Sequence, residues 1–243
     1  MFVLILGANS DIARAIADKF AREKGAHLCL ASRDTDDLER LAKDIEVRYR
    51  TRAQVARFDA LDYASHRPFY QNLDPKPDTA IVAFGYLGNQ SRAQADFDEA
   101  RRIVETNFLG CVSILEIIAE DFEARGRGTI LAISSVAGER GRQSNYMYGS
   151  AKSALTTYLS GLRNRLCRRN VRVITVLPGF VRSKMTEGLS FPKILSAVPA
   201  ETADDVFRAF KTGADVVYTK WFWRWIMTII RMLPEGMFKK MRL

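Results

Sequence analysis

Tyr148 and Lys152 stand four residues apart in "YMYGSAKSAL", a stretch with helical apolar spacing, so their side chains share one helix face. A free phenol ionises near pH ~10, and an ammonium beside it favours the phenolate, which suits the pair to acid-base work near neutral pH. A Tyr and a Lys at this spacing occur by chance in many helices, so their company carries the argument. Ser135 in "AISSVAG" closes the strand before this helix, Asn107 sits in "VETNFLG", and "LPGFVRSKM" follows the next strand. The three cysteines, Cys29, Cys111 and Cys167, are odd in number and far apart. They match neither a metal-ligand spacing nor a redox pair, which suits a reducing compartment. They read as core or helix-face residues, His27 as a strand-edge residue and His66 as a surface residue, and no metal site is expected.

Positioning these side chains requires a regular scaffold. Short aliphatic or β-branched runs at 3–6, 28–31, 54–58, 80–84, 129–133, 172–177 and 215–218 read as strands, with helical patterns between most of them. The alternation predicts an α/β fold: one doubly wound parallel sheet of about seven strands with helices on both faces. At 243 residues and 47% hydrophobic, the chain can bury one large core. We expect a catalytic domain over 1–218 and a separate tail over 219–243. The stretch 183–199, "SKMTEGLSFPKILSAVP", is irregular and long for a connection, which marks it as a lid.

The turn "LGANSDIARA" leaves the first strand and opens a helix, so Gly7, Asn9, Ser10, Asp11 and Ile12 are placed where free backbone N–H groups favour a pyrophosphate. Only Gly7 is a glycine there, and an ordinary strand-helix connection reads equally well. Asp11, an acid near the expected diphosphate, is read as turning outward to cap the helix. After the second strand come Ser32 and Arg33, where a guanidinium suits a 2′-phosphate and favours NADPH over NADH; Asp34 or Asp36 supplying a ribose carboxylate is the alternative. In "FDALD", Asp59 with Ala60 is placed for the adenine, or Asp59 is a turn aspartate.

Taken together, these motifs resemble the short-chain dehydrogenase/reductase family over nearly the whole chain to about residue 218. The resemblance implies that Ser135 polarises a substrate carbonyl and that Tyr148 exchanges the proton. It implies that Lys152 lowers the tyrosine pKa and holds the nicotinamide ribose, and that Asn107 holds a relay water. It also places Ala83, Phe84 and Gly85 of "VAFGYLG", and Pro178, Gly179, Val181 and Ser183, against the cofactor. The chain departs from the family pattern at Leu6, at Asp11 and in "VAFG". "AIVAFGYLG", "SSVAGERGR" and the aromatic, basic terminus look similar to the decaprenylphosphoryl-2-keto-ribose reductases, which implies a keto sugar on a polyprenyl phosphate and a role in cell-envelope biosynthesis. Arg140, Arg142 and Lys184 are then candidates for the lipid phosphate, or solvated charges. Leu189, Phe191, Ile194 and Leu195 line an apolar entrance or pack the lid.

Charge and the tail bear on partners. Lys220, Arg224, Arg231, Lys239, Lys240 and Arg242 against Glu235 alone give the tail +5 of the chain's +9. The body is only mildly basic, so no nucleic-acid partner is expected. A helix over 221–233 would span ~20 Å at ~1.5 Å per residue, short of a hydrocarbon core of ~30 Å. Its three tryptophans and flanking cations fit an interfacial anchor on an anionic membrane, and a subunit contact is the competing reading. A cytoplasmic homodimer or homotetramer, peripheral on the membrane face, is the expectation. The alternatives are a reductase of a soluble or acyl ketone, and a nucleotide-binding scaffold without turnover.

Overall fold

The computed structural model describes residues 1–188 and 191–241. Leu189 of the expected entrance and Arg242 of the tail cluster lie outside the described residues. The chain opens with β1 (Phe2–Leu6), α1 (Asp11–Lys24), β2 (His27–Ser32), α2 (Asp36–Tyr49), β3 (Ala53–Arg57), α3 (Tyr63–Gln71) and β4 (Thr79–Val82). It continues through α4 (Gln90–Ala95), α5 (Phe97–Val104), a single π-helical turn over Glu105–Leu109, α6 (Gly110–Arg125), β5 (Gly128–Ile133), α7 (Tyr146–Leu166) and β6 (Val171–Pro178). The last third holds β7 (Phe180–Val181), β8 (Ser196–Ala197), α8 (Pro199–Thr212), β9 (Val216–Thr219), α9 (Trp223–Met232) and α10 (Glu235–Phe238).

Seven strands form one parallel sheet in the order β3-β2-β1-β4-β5-β6-β9, as the β-α alternation predicts. β1 is buried on both faces, and its side chains alternate: Val3 and Ile5 meet α1, α2 and α8, whereas Phe2, Leu4 and Leu6 meet α3, α6 and α7. Phe20 of α1 anchors the first layer, edge-on to Phe207 and Phe210 of α8. Burying such a ring completely is worth about 1.5–3 kcal/mol. Chain direction across the sheet reverses between β1 and β4, and a crevice opens there at the strands' carboxyl ends, the place where open α/β sheets bind ligands.

The strands shift by one or two residues from the sequence reading, and the lid and the tail differ more. The lid holds 3-10 turns at Lys184–Thr186 and Lys193–Leu195, and it ends on β8, which pairs with β7, so Pro199 already belongs to α8. The tail helix begins at Trp223 and is ten residues long, shorter than the 221–233 expected. Lys220 takes a left-handed conformation (φ 58°), which turns the chain before the helix can start.

Candidate active site

The crevice has two joined lobes of about 190 and 250 Å³ that share Asn9, Ser10, Ala83, Phe84, Gly85 and Met185. Every residue assigned to the cofactor from sequence lines one lobe or the other. Gly7, Ser32, Arg33, Asp59 and Ala60 lie in the first lobe, and Asp11, Ile12, Tyr148, Lys152, Pro178, Gly179, Val181 and Ser183 in the second. Gly7 has φ 83°, and a β-carbon there would lie 2.5 Å from the backbone nitrogen of Phe84, so the turn can approach β4 only as glycine.

The cap of α1 differs from expectation. Ser10 is the N-cap, accepting from the Ala13 N–H at 3.1 Å, and Asp11 instead reaches the lid, where its Oδ2 accepts from the Lys184 N–H at 2.7 Å. A serine hydroxyl is the right length to close on the N3 amide from the residue before the helix, which leaves Asp11 free to look outward. At the opposite end, Arg33 is exposed, and among the described residues no carboxylate pairs with it. Asp34 is occupied: its Oδ1 accepts from the Asp36 N–H, and its carbonyl accepts from Asn9 Nδ2. Asp59 makes the turn contact of the second sequence reading, accepting from the Leu61 N–H at 3.0 Å, and it also lines the crevice.

His66, read as a surface residue, is fully buried on α3 and stacks on Phe58. Its Nε2 lies 2.9 Å from the Asp59 carbonyl and its Nδ1 2.9 Å from Ser113 Oγ. A carbonyl only accepts, so Nε2 carries the hydrogen and Nδ1 accepts from the serine. Burial pushes the imidazole pKa down and keeps it neutral. The ring thus supports the loop bearing Asp59 from beneath.

The chemistry-bearing end is built by β5 and α7. Ser135 follows β5 in extended conformation (φ −168°), and its Oγ accepts from the Ala137 N–H at 3.1 Å. Tyr148 lies in the first turn of α7, with its phenol on the side of the Ser135 hydroxyl. Lys152, one turn on and 2% exposed, donates from Nζ to the Ile133 carbonyl at 3.0 Å, and its ammonium lies 5.7 Å from the centre of the Tyr148 ring. Burial pushes the phenol up to about 12, opposed by the nearby Ser135 hydroxyl, and pushes the Lys152 ammonium down. The sequence leads one to expect the ammonium to lower the phenol. In the protein alone desolvation wins, because Nζ is held at β5 and lies toward the ring.

Asn107 sits fully buried in the π-helical turn, a feature common at functional sites. Its Nδ2 donates to the carbonyls of Tyr86 (2.6 Å) and Ile103 (2.8 Å), and its Oδ1 accepts from the Tyr86 N–H at 3.2 Å. The amide therefore fixes the backbone immediately after Gly85. Sequence reasoning missed Tyr86, Arg102, Thr106 and Met185, which also line the crevice. Met185 lay within the lid and could have been proposed from "SKM"; the others depend on which way α5 and the π-helical turn face.

Of the three cations assigned to a lipid phosphate, two are engaged elsewhere. Arg140 donates to Glu235 Oε2 at 2.7 Å and lies over the Phe238 ring, and half-buried Arg142 contacts Met227 Sδ at 3.3 Å. Both are turned toward the tail because α9 and α10 cover their loop. Lys184 remains exposed at the crevice mouth, beside a second surface hollow lined by Arg182 and Lys193.

Comparison with known proteins agrees with this geometry. The short chain dehydrogenase family model matches residues 1–192. Over 242 residues the chain is 37% identical to an uncharacterized oxidoreductase of Mycobacterium tuberculosis, covering 98% of this chain and 96% of that one. Over 189 residues it is 29% identical to the NADP-dependent 3-hydroxy acid dehydrogenase of Schizosaccharomyces pombe, covering 76% and 73% of the two chains. The fold is similar to a short-chain dehydrogenase from Sphingobium yanoikuyae in complex with NADPH, with a TM-score of 0.84 at 23% identity over 99% of this chain and 96% of that one. The chain belongs to the short-chain dehydrogenase family and is an NAD(P)-dependent oxidoreductase.

Proposed function

We propose that this chain is an NADPH-dependent reductase of a ketone carried on a polyprenyl-phosphate-linked sugar. The observation that carries the reductase reading is the convergence of Ser135, Tyr148 and Lys152 at one end of a crevice whose other end presents Arg33, which has no carboxylate partner among the described residues. The crevice fits a dinucleotide: a helix N-terminus faces its middle, and Gly7 leaves room for close backbone approach. Preference for the phosphorylated cofactor is supported by exposed Arg33, and by the NADP named for the fission-yeast relative and the NADPH bound in the Sphingobium structure.

When bound, the reduced nicotinamide supplies hydride to the carbonyl carbon. The protein's residues supply orientation and the proton. Tyr148, its phenol kept protonated by burial, donates to the developing alkoxide, and Ser135 donates a hydrogen bond to the same oxygen. Lys152, whose Nζ donates to the Ile133 carbonyl and faces the Tyr148 ring, would hold the nicotinamide ribose, and its positive charge favours the phenolate left when the proton has gone. The side-chain amide of Asn107 is committed to Tyr86 and Ile103, and a relay water would be held at its backbone carbonyl, which here takes a weak contact from the Cys111 thiol at 3.5 Å. Pro178, Gly179, Val181 and Ser183 would wall the nicotinamide, and Ser32, Arg33, Asp59 and Ala60 would wall the adenosine.

The lipid-linked substrate is supported by three features near the mouth. Ile194 is exposed on the lid, Lys184 with Arg182 and Lys193 offers an anion site, and the tail exposes Trp221, Trp225 and Ile229 beside cations. No helix among the described residues is long and apolar enough to cross a membrane. The tail lies on an anionic surface on the cytoplasmic face, and the enzyme acts there as a homodimer or homotetramer. The competing reading, a soluble or acyl ketone with a purely structural tail, draws on the burial of Trp223 and Met227 against the body. Assaying a polyprenyl-phosphate-linked 2-keto sugar against its water-soluble sugar phosphate separates the two. Preference for the soluble compound would sink the lipid reading and leave the reductase intact.

A further inference from the structure

The tail touches both walls of the substrate cleft. On the lid side, Trp223 is 3% exposed and its Nε1 donates to the Leu195 carbonyl at 3.1 Å. The indole lies so close to Gly179 that a β-carbon there would come within 2.0 Å of it. It also meets Phe180 edge-on, and Phe180 stacks at 4.6 Å on Phe191 within the lid. One buried tryptophan thus fastens the segment after β6 and two points along the lid.

On the serine side, the loop that follows Ser135 is gripped by the same tail together with Tyr218 of β9. Glu139 Oε1 accepts from Tyr218 Oη at 2.9 Å and from Arg231 Nη1 at 3.4 Å, and its buried Oε2 has no partner among the described residues. Arg140 pairs with Glu235, and Arg142 rests on Met227. Arg231 and Glu235 are themselves largely exposed, so these ion pairs are weak fasteners in water alone.

The outer face of α9 completes the device. Trp225, Ile229 and Met232 are spaced four and three residues apart along one side of the helix, Trp221 stands in the turn just before it, and all four are more than half exposed. Arg224, Lys239 and Lys240 stand exposed around it, and the tail's one acid, Glu235, is taken by Arg140. Large aromatic rings ringed by cations match the headgroup zone of an anionic phospholipid surface.

We propose that α9 is a clasp that carries docking on an anionic phospholipid surface into the cleft. Docking fixes the helix, and Trp223 and the Glu139–Arg231 and Arg140–Glu235 pairs then hold the lid and the Ser135 loop in the reactive arrangement. This rests on the surface-docking reading above and adds that docking changes the site. Trp223 is a positioning residue; it touches neither substrate nor reacting atoms.

The test uses the full chain with NADPH and vesicles of phosphatidylglycerol, with phosphatidylcholine as control. Three quantities are read: flotation, backbone hydrogen exchange over 180–188 and 191–198, and the rate on a water-soluble vicinal diketone. Phosphatidylglycerol is expected to float the protein, slow lid exchange and raise kcat/KM by about fivefold or more. Trp225→Ser with Ile229→Ser, both on the outer face, loses flotation and stimulation while keeping the basal rate. Glu139→Gln with Arg140→Gln, on the serine side, keeps flotation and loses stimulation. Flotation with unchanged exchange and rate overturns the clasp and leaves surface docking standing. Absence of flotation, or concentration-dependent self-association through the Trp225 face, removes the docking reading and the clasp with it.

Discussion

The Asp11 carboxylate accepts a hydrogen bond from the Lys184 backbone N–H at 2.7 Å, tying the first turn of α1 to the lid across the mouth of the cofactor crevice. An acid in place of a family glycine therefore has a physical task. Asp11→Asn keeps an acceptor and removes a negative charge from beside the expected diphosphate, so NADPH should bind more tightly than to the parent. Asp11→Ala loses the acceptor as well, and a hydrogen bond worth about 1 kcal/mol predicts roughly fivefold weaker binding than Asp11→Asn. Fluorescence titration with NADPH checks the order; equal affinities would mean that the bond does not hold the lid.

Tyr148→Phe removes the proton donor and leaves the ring that packs over Lys152. Positioned acids contribute about 10²–10⁴-fold, and turnover should fall by that much with little change in NADPH affinity. Stopped-flow measurement of hydride transfer tests this directly, and a variant that turns over normally would remove Tyr148 from the mechanism.

Arg33→Ala should weaken NADPH binding by about tenfold or more, the loss of a charge-assisted contact, and leave NADH binding nearly unchanged. Asp34 is bonded to the Asp36 N–H and is not placed to reverse the preference. Calorimetric titration with the two cofactors measures it; parallel losses would assign the 2′-phosphate to another group.

His66 gives a stability prediction with a definite sign. Its folded pKa is lowered below the ordinary 6.5 by burial, so near and below that value the unfolded chain binds a proton that the folded protein refuses. The stability from burying the neutral ring is complete above pH 6.5 and declines as the pH falls through the window beneath it. Thermal denaturation from pH 7.5 down to about 5.5 should show a falling Tm that flattens in His66→Gln. An unchanged slope in the variant would assign the acid sensitivity elsewhere.

The strands were legible because parallel strands buried on both faces read as short β-branched runs, and β1 and β6 are such runs. Tyr148 and Lys152 were legible because a helical spacing of four states their common face. Features that depend on tertiary neighbours were hidden. The burial of His66 follows from Phe58 stacking on it, and the task of Asp11 follows from a lid residue 173 positions away. Composition alone likewise gave no means of dividing the tail tryptophans into one that packs on Gly179 and two that face outward.

The most direct test of the account supplies purified protein with NADPH and a polyprenyl-phosphate-linked 2-keto sugar in phosphatidylglycerol vesicles and follows loss of reduced cofactor and formation of the alcohol. The account predicts one NADPH consumed per keto group reduced, abolished in Tyr148→Phe. Protein that binds NADPH yet reduces neither this compound nor any soluble ketone would contradict it.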